Sequence, residues 1–140
     1  MDLKGKITLV TGGSNGIGKQ TALQLINEGA TVYITGRNEG RLQAAASEIG
    51  AKPILADSSV QADVNRVFSQ IMSENQSFDI LINNAGFGAG WGEIGELNME
   101  DMLRVYQTNV FGATMMGQAA ANIFKKQKSG DIVNIGSTAS

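Results

Sequence analysis

The sequence predicts an α/β fold in which helices cover both faces of a doubly wound parallel β-sheet. Short apolar segments rich in β-branched residues alternate with longer segments of helical period along the 140 residues, a pattern typical of βαβ units. Apolar residues make up 42% of the chain and charged residues 17%, which is a globular balance. No repeat or linker interrupts the series, so we expect one layered unit with right-handed crossovers.

Five segments are predicted to be strands. The first, Ile7 to Thr11, is apolar on successive residues, as expected for a strand that is buried on both faces. The remaining four strands are predicted at Thr31 to Thr35, Pro53 to Ala56, Asp79 to Asn83 and Asp131 to Gly136. Because a helical segment separates each strand from the next, we expect them to pair in parallel.

The first two helices have recognisable end signals. One runs from about Gly16 to Glu28 and stops at Gly29, a residue type that favours the left-handed conformation after a helix. The next begins at Asn38, whose side chain suits the N-cap position, and ends at Gly50. These signals place both helices directly between predicted strands.

The third and fourth helices are predicted on similar grounds. Ser58 and Gln61 stand at capping-box spacing ahead of an apolar stripe. A long fourth helix is predicted to start near Asn98, with acidic residues in its first turn, and to end with three lysines before Gly130. We expect the apolar circumference of this helix to be buried in the core and in a contact between subunits.

Composition excludes several classes of function. A net charge of -2, with no basic cluster larger than Lys125, Lys126 and Lys128, gives no footprint for nucleic acid. The chain has no Cys and no His, which excludes thiol nucleophiles, metal sites of the usual zinc kind and Ser-His-Asp hydrolysis. The N-terminus does not resemble a signal peptide, and no apolar run reaches the roughly 18 residues of a membrane span. We therefore expect a cytoplasmic protein without nucleic-acid or membrane partners.

A glycine-rich loop, TGGSNGIG, follows the first strand and opens the first helix. Gly12, Gly16 and Gly18 allow a tight turn, a close approach of backbone N–H groups to a pyrophosphate, and close packing of the helix on the sheet. The G-x-x-x-G-x-G spacing differs from the commoner dinucleotide fingerprint, so a turn without ligand is the alternative. The strand and helix on either side favour a nucleotide.

The end of the second strand indicates which nucleotide. An acidic residue there holds a ribose 2′-hydroxyl, whereas an arginine accommodates a 2′-phosphate. Gly36 occupies the place of the acid and Arg37 follows it, which favours NADP over NAD. Glu39 is a rival ribose ligand, but its place after the cap Asn38 makes it an ordinary first-turn acid. A solvated surface charge is the alternative for Arg37.

Four motifs in this order resemble the short-chain dehydrogenase/reductase family of the classical type: TGGSNGIG, NNAG from Asn83 to Gly86, QTNVFG and GDIVNIGS. The resemblance covers the chain from Gly5 to Ser140. It implies a three-layer, Rossmann-type sheet and an oxidoreductase that transfers a hydride between a nicotinamide cofactor and a small-molecule alcohol/carbonyl substrate. NADP(H) is the expected cofactor, and NAD(H) stays open as the alternative.

The resemblance also implies which residues bind the cofactor. The glycine loop would wrap the pyrophosphate, Arg37 would meet the 2′-phosphate, and the NNAG motif would line the adenosine ribose and the path to the nicotinamide. The pair after the third strand would hold the adenine ring. The cofactor-binding residues so implied are Gly12, Ser14, Asn15, Gly16, Ile17, Gly18, Arg37, Asp57, Ser58, Asn84, Ala85 and Gly86. Asn83 is expected mainly to tie strands together.

Two catalytic residues follow from the same resemblance. Asn109 would interrupt its helix locally, and its backbone would hold a water of the proton relay; from the pattern alone it would be a solvent-facing Asn. Ser137, which ends the NIGS segment, would donate a hydrogen bond to the substrate carbonyl, with a strand-end turn as the alternative. Ser137 is preferred over Ser140 because of its place in the motif.

The family's general acid is the tyrosine of a Tyr-x-x-x-Lys motif. This chain has only Tyr33 and Tyr106, and neither is followed by Lys four residues later. We therefore expect the sheet to be truncated after its fifth strand and residues 1–140 to form a single, incomplete NAD(P)-binding domain that is inactive alone. A non-catalytic NADP(H)-binding or interaction module is the alternative. We also expect a homo-oligomer formed through the long helix, residues 99–128.

Overall fold

A five-stranded parallel sheet forms the centre of the computed structural model, which describes residues 2–89 and 92–137. Its strands are β1 (Ile7–Val10), β2 (Thr31–Gly36), β3 (Lys52–Leu55), β4 (Ile80–Asn83) and β5 (Asp131–Asn134). Their order is β3-β2-β1-β4-β5, and each neighbouring pair is parallel. The strand order reverses between β1 and β4, which makes this the topological switch point of the sheet. The predicted α/β class and parallel pairing are confirmed.

Helices connect the strands at both faces of the sheet. They are α1 (Gly16–Asn27), α2 (Glu39–Ile49), α3 (Gln61–Glu74), α4 (Met99–Tyr106) and α5 (Ala113–Gln127), with a 3₁₀ turn at Ile94–Glu96. Between α4 and α5 the chain stays helical, but residues Gln107–Gly112 form π-type hydrogen bonds. The long fourth helix expected from the sequence is therefore α4, this π segment and α5 in succession.

Two hydrophobic clusters hold the layers together, one on each face of the sheet. Successive strand residues point to opposite faces, so Leu9 of β1 packs into the cluster with α3 and α5, while Val10 packs into the cluster with α1 and α2. In the first cluster Phe78 stacks on Phe124, with ring centroids 5.3 Å apart. Both faces of the central strands are thus buried, which explains why their sequences are continuously apolar.

The predicted cap at Asn38 forms, α4 begins directly after Asn98 as predicted, and the predicted capping box at Ser58 is wrong. The Asn38 side chain accepts a hydrogen bond from the backbone N–H of Arg41 at 2.9 Å, and Asn98 likewise caps α4. The capping box at Ser58 does not form, because α3 begins only after Val60 and has no side-chain cap. A turn closed by the Val60 N–H and the Asp57 carbonyl, 3.0 Å apart, occupies the residues in which that cap would lie.

β5 lies at one edge of the sheet and is the most exposed of the strands. All four of its residues are exposed, including Ile132 at 38% and Val133 at 44%. Within residues 2–89 and 92–137, no helix is long and apolar enough to cross a lipid bilayer.

Candidate functional site

A cavity of about 1200 Å³ lies at the carboxyl ends of the strands. Open parallel sheets bind ligands at this edge, at the point where the strand order reverses. Here that point is the crevice between β1 and β4. The predicted site residues that line the cavity are Gly12, Ser14, Asn15, Ile17, Arg37, Asp57, Ser58, Asn84, Ala85, Gly86, Asn109 and Ser137. One continuous cavity therefore brings together residues from segments remote in sequence.

The glycines of the loop after β1 have different structural roles. Gly12 has φ +65°, and a Cβ atom there would lie 2.9 Å from the Ala85 Cα. A Cβ atom at Gly18 would lie 2.4 Å from both the Gly12 carbonyl oxygen and the Asn84 Nδ2. Gly18 and Gly16 do not line the cavity among the described residues. They shape the turn and the helix entry, while Gly12, Ser14 and Asn15 face the cavity.

Thr11 joins the glycine loop to the NNAG loop through hydrogen bonds, a role that the sequence motifs did not predict. Its buried hydroxyl accepts hydrogen bonds from the backbone N–H groups of Asn84 at 3.0 Å and Ala85 at 2.9 Å. The Asn84 side chain in turn donates to the carbonyl oxygens of Thr11 at 3.0 Å and Gly12 at 3.2 Å. A hydroxyl residue at the end of a continuously apolar strand was the available signal.

The end of β2 presents positive charge to the cavity. Gly36 has no side chain, and a Cβ atom there would lie 3.3 Å from the Ser14 Oγ, so this glycine leaves room for the glycine loop. The exposed Arg37 lines the cavity next to it. Arg41, in the first turn of α2, lines the same cavity and was also missed; its place just beyond the Asn38 cap was the available signal. Two guanidinium groups, those of Arg37 and Arg41, therefore line the cavity near the end of β2.

The segment after β3 is held by a carboxylate of α3. The backbone N–H of Asp57 donates to Asp63 Oδ2 at 2.8 Å, and this bond, followed by the hydrogen bond from Arg66, lowers the pKa of Asp63 below its ordinary value. Asp57 itself accepts from the backbone N–H of Ser59 at 2.9 Å. The buried Ser58 packs against Gly112 of the π segment, where a Cβ atom would lie 3.0 Å from the Ser58 carbonyl oxygen. The loop is thereby fixed beside the cavity.

Asn109 lies in the π segment, so the predicted local interruption of the helix is present. Its side chain is paired with the backbone of Phe87: Oδ1 accepts from the Phe87 N–H at 3.1 Å, and Nδ2 donates to the Phe87 carbonyl at 2.9 Å. The residue is exposed, as the pattern alone predicted, but both ends of its carboxamide are paired with the backbone of Phe87. Gly86 makes this pairing possible, since a Cβ atom there would lie only 3.2 Å from Asn109 Oδ1.

The remaining motif residues lie at the floor and far end of the cavity. Asn83 donates from Nδ2 to the Ala113 carbonyl and to Asn134 Oδ1, both at 3.0 Å, and so ties β4 to α5 and β5 as expected. Ser137 lines the cavity shortly after β5. Ser140, the serine not chosen, lies outside the described residues.

Neither tyrosine of the chain belongs to the described cavity wall. Tyr33 is fully buried in the core, and its hydroxyl donates to Glu74 Oε2 at 2.5 Å and accepts from Asn75 Nδ2 at 2.9 Å. Tyr106 lies at the end of α4 and is 52% exposed. The cavity as described thus has no phenol that could serve as a general acid.

The comparisons with known proteins agree with this geometry. The family model described as short chain dehydrogenase matches residues 6–140. An NADP-dependent 3-hydroxy acid dehydrogenase of Schizosaccharomyces pombe is 33% identical over 98% of this chain and 56% of its own length, and one of Shigella flexneri is 33% identical over 95% and 54%. A crystal structure of NAD⁺-bound xylitol dehydrogenase superposes with a TM-score of 0.92 at 29% identity, covering 99% of this chain and 55% of the other. The chain spans about half the length of the relatives it matches.

Proposed function

The chain belongs to the short chain dehydrogenase family, and on this premise we propose that it is the cofactor-binding part of an NADP(H)-dependent oxidoreductase that acts on an alcohol/carbonyl pair. The observation that carries the proposal is the cavity at the β1 and β4 switch point, whose wall contains residues of all four family motifs. When bound, a nicotinamide cofactor supplies or accepts the hydride.

The residues at the start of α1 fit a pyrophosphate. In the described structure Asn15 makes no side-chain cap at this helix, and the first turn contains no acidic residue. The first backbone N–H groups of a helix lack partners within the helix, and they carry partial positive charge. An anion would therefore meet free donors rather than a competing carboxylate, as it does in other nucleotide-binding loops.

The preference for NADP(H) rests on the end of β2. Gly36 leaves no acid that could hold a ribose 2′-hydroxyl, and Arg37 and Arg41 bring two positive charges to the cavity. A guanidinium group binds phosphate through charge-assisted, often paired hydrogen bonds. The two dehydrogenases compared above are named NADP-dependent, whereas the xylitol dehydrogenase holds NAD⁺. We therefore keep NAD(H) as the alternative cofactor.

Ser137 and Asn109 are the proposed contribution to catalysis. The Ser137 hydroxyl would donate a hydrogen bond to the substrate carbonyl oxygen, which would favour the charge that develops there during reduction. Asn109 holds the loop after β4 through Phe87 and gives the helix its π segment, which supports its proposed role in a proton relay. The proton itself needs an acid within hydrogen-bond reach of that oxygen, and neither Tyr33 nor Tyr106 lines the cavity. We propose that residues 1–140 alone do not turn over substrate.

Titration calorimetry with NADPH and NADH tests the cofactor proposal directly. We expect NADPH to bind the native protein at least about tenfold more tightly, which corresponds to about 1.4 kcal/mol. Equal affinity would reject the preference for the 2′-phosphate, and binding of neither would reject the proposed site. NADPH consumption with 3-oxo acids tests turnover, and consumption by the 140-residue chain alone would contradict the proposed lack of an acid.

A non-catalytic NADP(H)-binding or interaction module is the second candidate, and it is supported by the described part of the cavity wall, which contains no tyrosine. The coding sequence after codon 140 separates the two functions: a continuation with a Tyr-x-x-x-Lys motif supports the enzyme, and a stop codon supports the module.

We also propose a cytoplasmic protein that forms homo-oligomers through residues 99–128. The support for assembly is a row of exposed apolar residues along α4 and the π segment, at the helical spacing of four, three and four residues. They are Met99, Leu103, Tyr106 and Val110. Sedimentation velocity of the native protein and of a Leu103→Glu variant measures this assembly, and a native monomer would reject it.

A further inference from the structure

Arg37 contacts an aromatic ring that lies on the other side of the proposed cofactor crevice. Its guanidinium carbon lies 5.5 Å from the centroid of the Phe87 ring, within the range of a cation–π interaction. Both residues line the cavity. The guanidinium carbon of Arg104, from α4, lies 5.8 Å from the same centroid. The Phe87 ring therefore contacts two guanidinium groups, one from the end of β2 and one from α4.

The contact between Arg37 and Phe87 spans the crevice because of the strand order. Arg37 directly follows β2, Phe87 follows β4, and β1 lies between these strands. Neighbouring strands are about 4.8 Å apart, so the Arg37 side chain reaches over the carboxyl end of β1. The glycine loop leaves the sheet at that end, and the proposed dinucleotide lies along it.

Phe87 is the fixed member of this pair. Its backbone N–H and carbonyl are both held by the Asn109 side chain, and its ring is half-buried. Arg37 is exposed and lies on the short connection between β2 and α2. A change in the contact is therefore made by the long arginine side chain rather than by the ring.

We propose that Phe87 is a positioning residue that holds Arg37 across the cofactor crevice, so that this contact and a bound dinucleotide exclude each other. The inference rests on the proposed function. A dinucleotide with a 2′-phosphate gives Arg37 an ionic partner in place of the ring, whereas one without it gives none. Arg37 thus acts twice: by closing on Phe87 it lowers the affinity of every dinucleotide, and only the 2′-phosphate of NADP(H) offsets this loss by binding Arg37.

The two effects of Arg37 have different signatures in binding. A competing closed conformation lowers the apparent affinity of every dinucleotide by the same factor. For one exposed cation–π contact that factor is about two- to fivefold. Loss of the phosphate contact changes the affinity for NADP⁺ alone. Removal of the Phe87 ring should therefore raise the affinity for NADP⁺, whereas removal of the Arg37 side chain should lower it. Both changes should raise the affinity for NAD⁺ by the same factor.

The experiment measures dissociation constants of NADP⁺ and NAD⁺ by calorimetry for the native protein and for the variants Phe87→Leu, Arg37→Ala and the double variant. We expect Phe87→Leu to tighten both cofactors by about two- to fivefold. Arg37→Ala should weaken NADP⁺ by about tenfold or more while it tightens NAD⁺ by the same two- to fivefold. In the Arg37→Ala background, Phe87→Leu should change neither affinity.

Phe111→Leu is the matched control, since Phe111 is 58% exposed and lies outside the described cavity wall; its affinities should equal those of the native protein. An equal effect of Phe87→Leu with and without Arg37 would show direct contact of the ring with the cofactor and overturn the inference. An unchanged NAD⁺ affinity in Arg37→Ala would also overturn the inference. Because Arg37 is exposed, this variant provides the test even if Phe87→Leu fails to fold. Native protein that binds neither cofactor would instead reject the proposed function.

Discussion

Single polar side chains decide how the loops of the site are joined. The Thr11 hydroxyl serves two backbone N–H groups of the NNAG loop, and the Asn109 carboxamide serves both backbone groups of Phe87. Each side chain thus joins two loops that are not paired with each other through backbone hydrogen bonds of the sheet. A buried N–H left without an acceptor costs more free energy than the hydrogen bond itself contributes. The buried Thr11 is therefore expected to contribute to the stability of the fold as well as to the shape of the site.

Substitution of Thr11 tests this at one position. Thr11→Val keeps the shape of the side chain but leaves the N–H groups of Asn84 and Ala85 without their acceptor, and we expect the free energy of unfolding to fall by about 1–3 kcal/mol. Urea denaturation followed by circular dichroism measures it. Thr11→Ser, which retains the hydroxyl, is the control, and its free energy of unfolding should fall less than that of Thr11→Val. Equal stability of Thr11→Val and the native protein would show that the two N–H groups find other partners.

At the scale of elements, the connection from β1 to α1 depends on contact with a second loop. Gly18 is the first-turn residue of α1 that lies against the Gly12 carbonyl and the Asn84 side chain. The long helical region shows the same dependence, because its π segment lies where Asn109 pairs with Phe87 and Gly112 packs on Ser58. Proline does not cause this π segment, since the sequence contains no proline after residue 53.

A pair of glycine-to-alanine substitutions separates contact from propensity. Gly18→Ala places a methyl group 2.4 Å from the Gly12 carbonyl oxygen, and we expect a loss of about 1–3 kcal/mol from overpacking together with weaker NADPH binding. Gly40→Ala, in α2, meets only Asn38 Oδ1 at 3.7 Å and should raise stability by about 0.4–1 kcal/mol. Thermal unfolding of both variants provides the comparison. A stabilised Gly18→Ala protein would contradict the close approach of the two loops.

For the whole molecule, one buried hydroxyl links the sheet to α3 and contributes to stability in acid. Tyr33 of β2 donates to Glu74 at the end of α3, and Lys52 of β3 also bonds Glu74, at 3.4 Å. The hydrogen bond from Tyr33, followed by those from Gln70 and Lys52, lowers the pKa of Glu74 below its ordinary value of 4.5. At a pH near this value, the Glu74 carboxyl group therefore binds fewer protons in the folded protein than in the unfolded protein. Its contribution to stability is present above the unfolded pKa and is lost as pH falls through the folded pKa.

Glu74→Gln should accordingly lower the free energy of unfolding at pH 7, with a difference from the native protein that shrinks below about pH 4.5. Urea denaturation at pH 7, 5 and 3.5 measures this trend. In a Tyr33→Phe background the pH-dependent part of the difference should be smaller, because the principal cause of the lowered pKa is gone. A difference that stays constant from pH 7 to pH 3.5 would show that the charge of Glu74 is not involved.

The sequence by itself determined the class of the fold, the succession of strands and helices along the chain, and the resemblance to the family. Burial of central strands on both faces, helical periodicity, and caps such as Asn38 and Asn98 are local properties, so they can be read from neighbouring residues. Most element boundaries fall within two residues of the predicted ones, and the misplaced start of α3 follows from a turn that Asp57 and Val60 close.

Only the tertiary structure decided how the motifs meet. Three contacts join residues that lie 22 to 74 positions apart in the sequence. They are the hydrogen bonds of Thr11 to the NNAG loop, the pairing of Asn109 with Phe87, and the contact of Arg37 with Phe87. No local pattern encodes such contacts, because they arise from the strand order β2-β1-β4 and the carboxyl edge that these strands share. Packing of remote segments therefore set which polar groups face the cavity and which hold its walls.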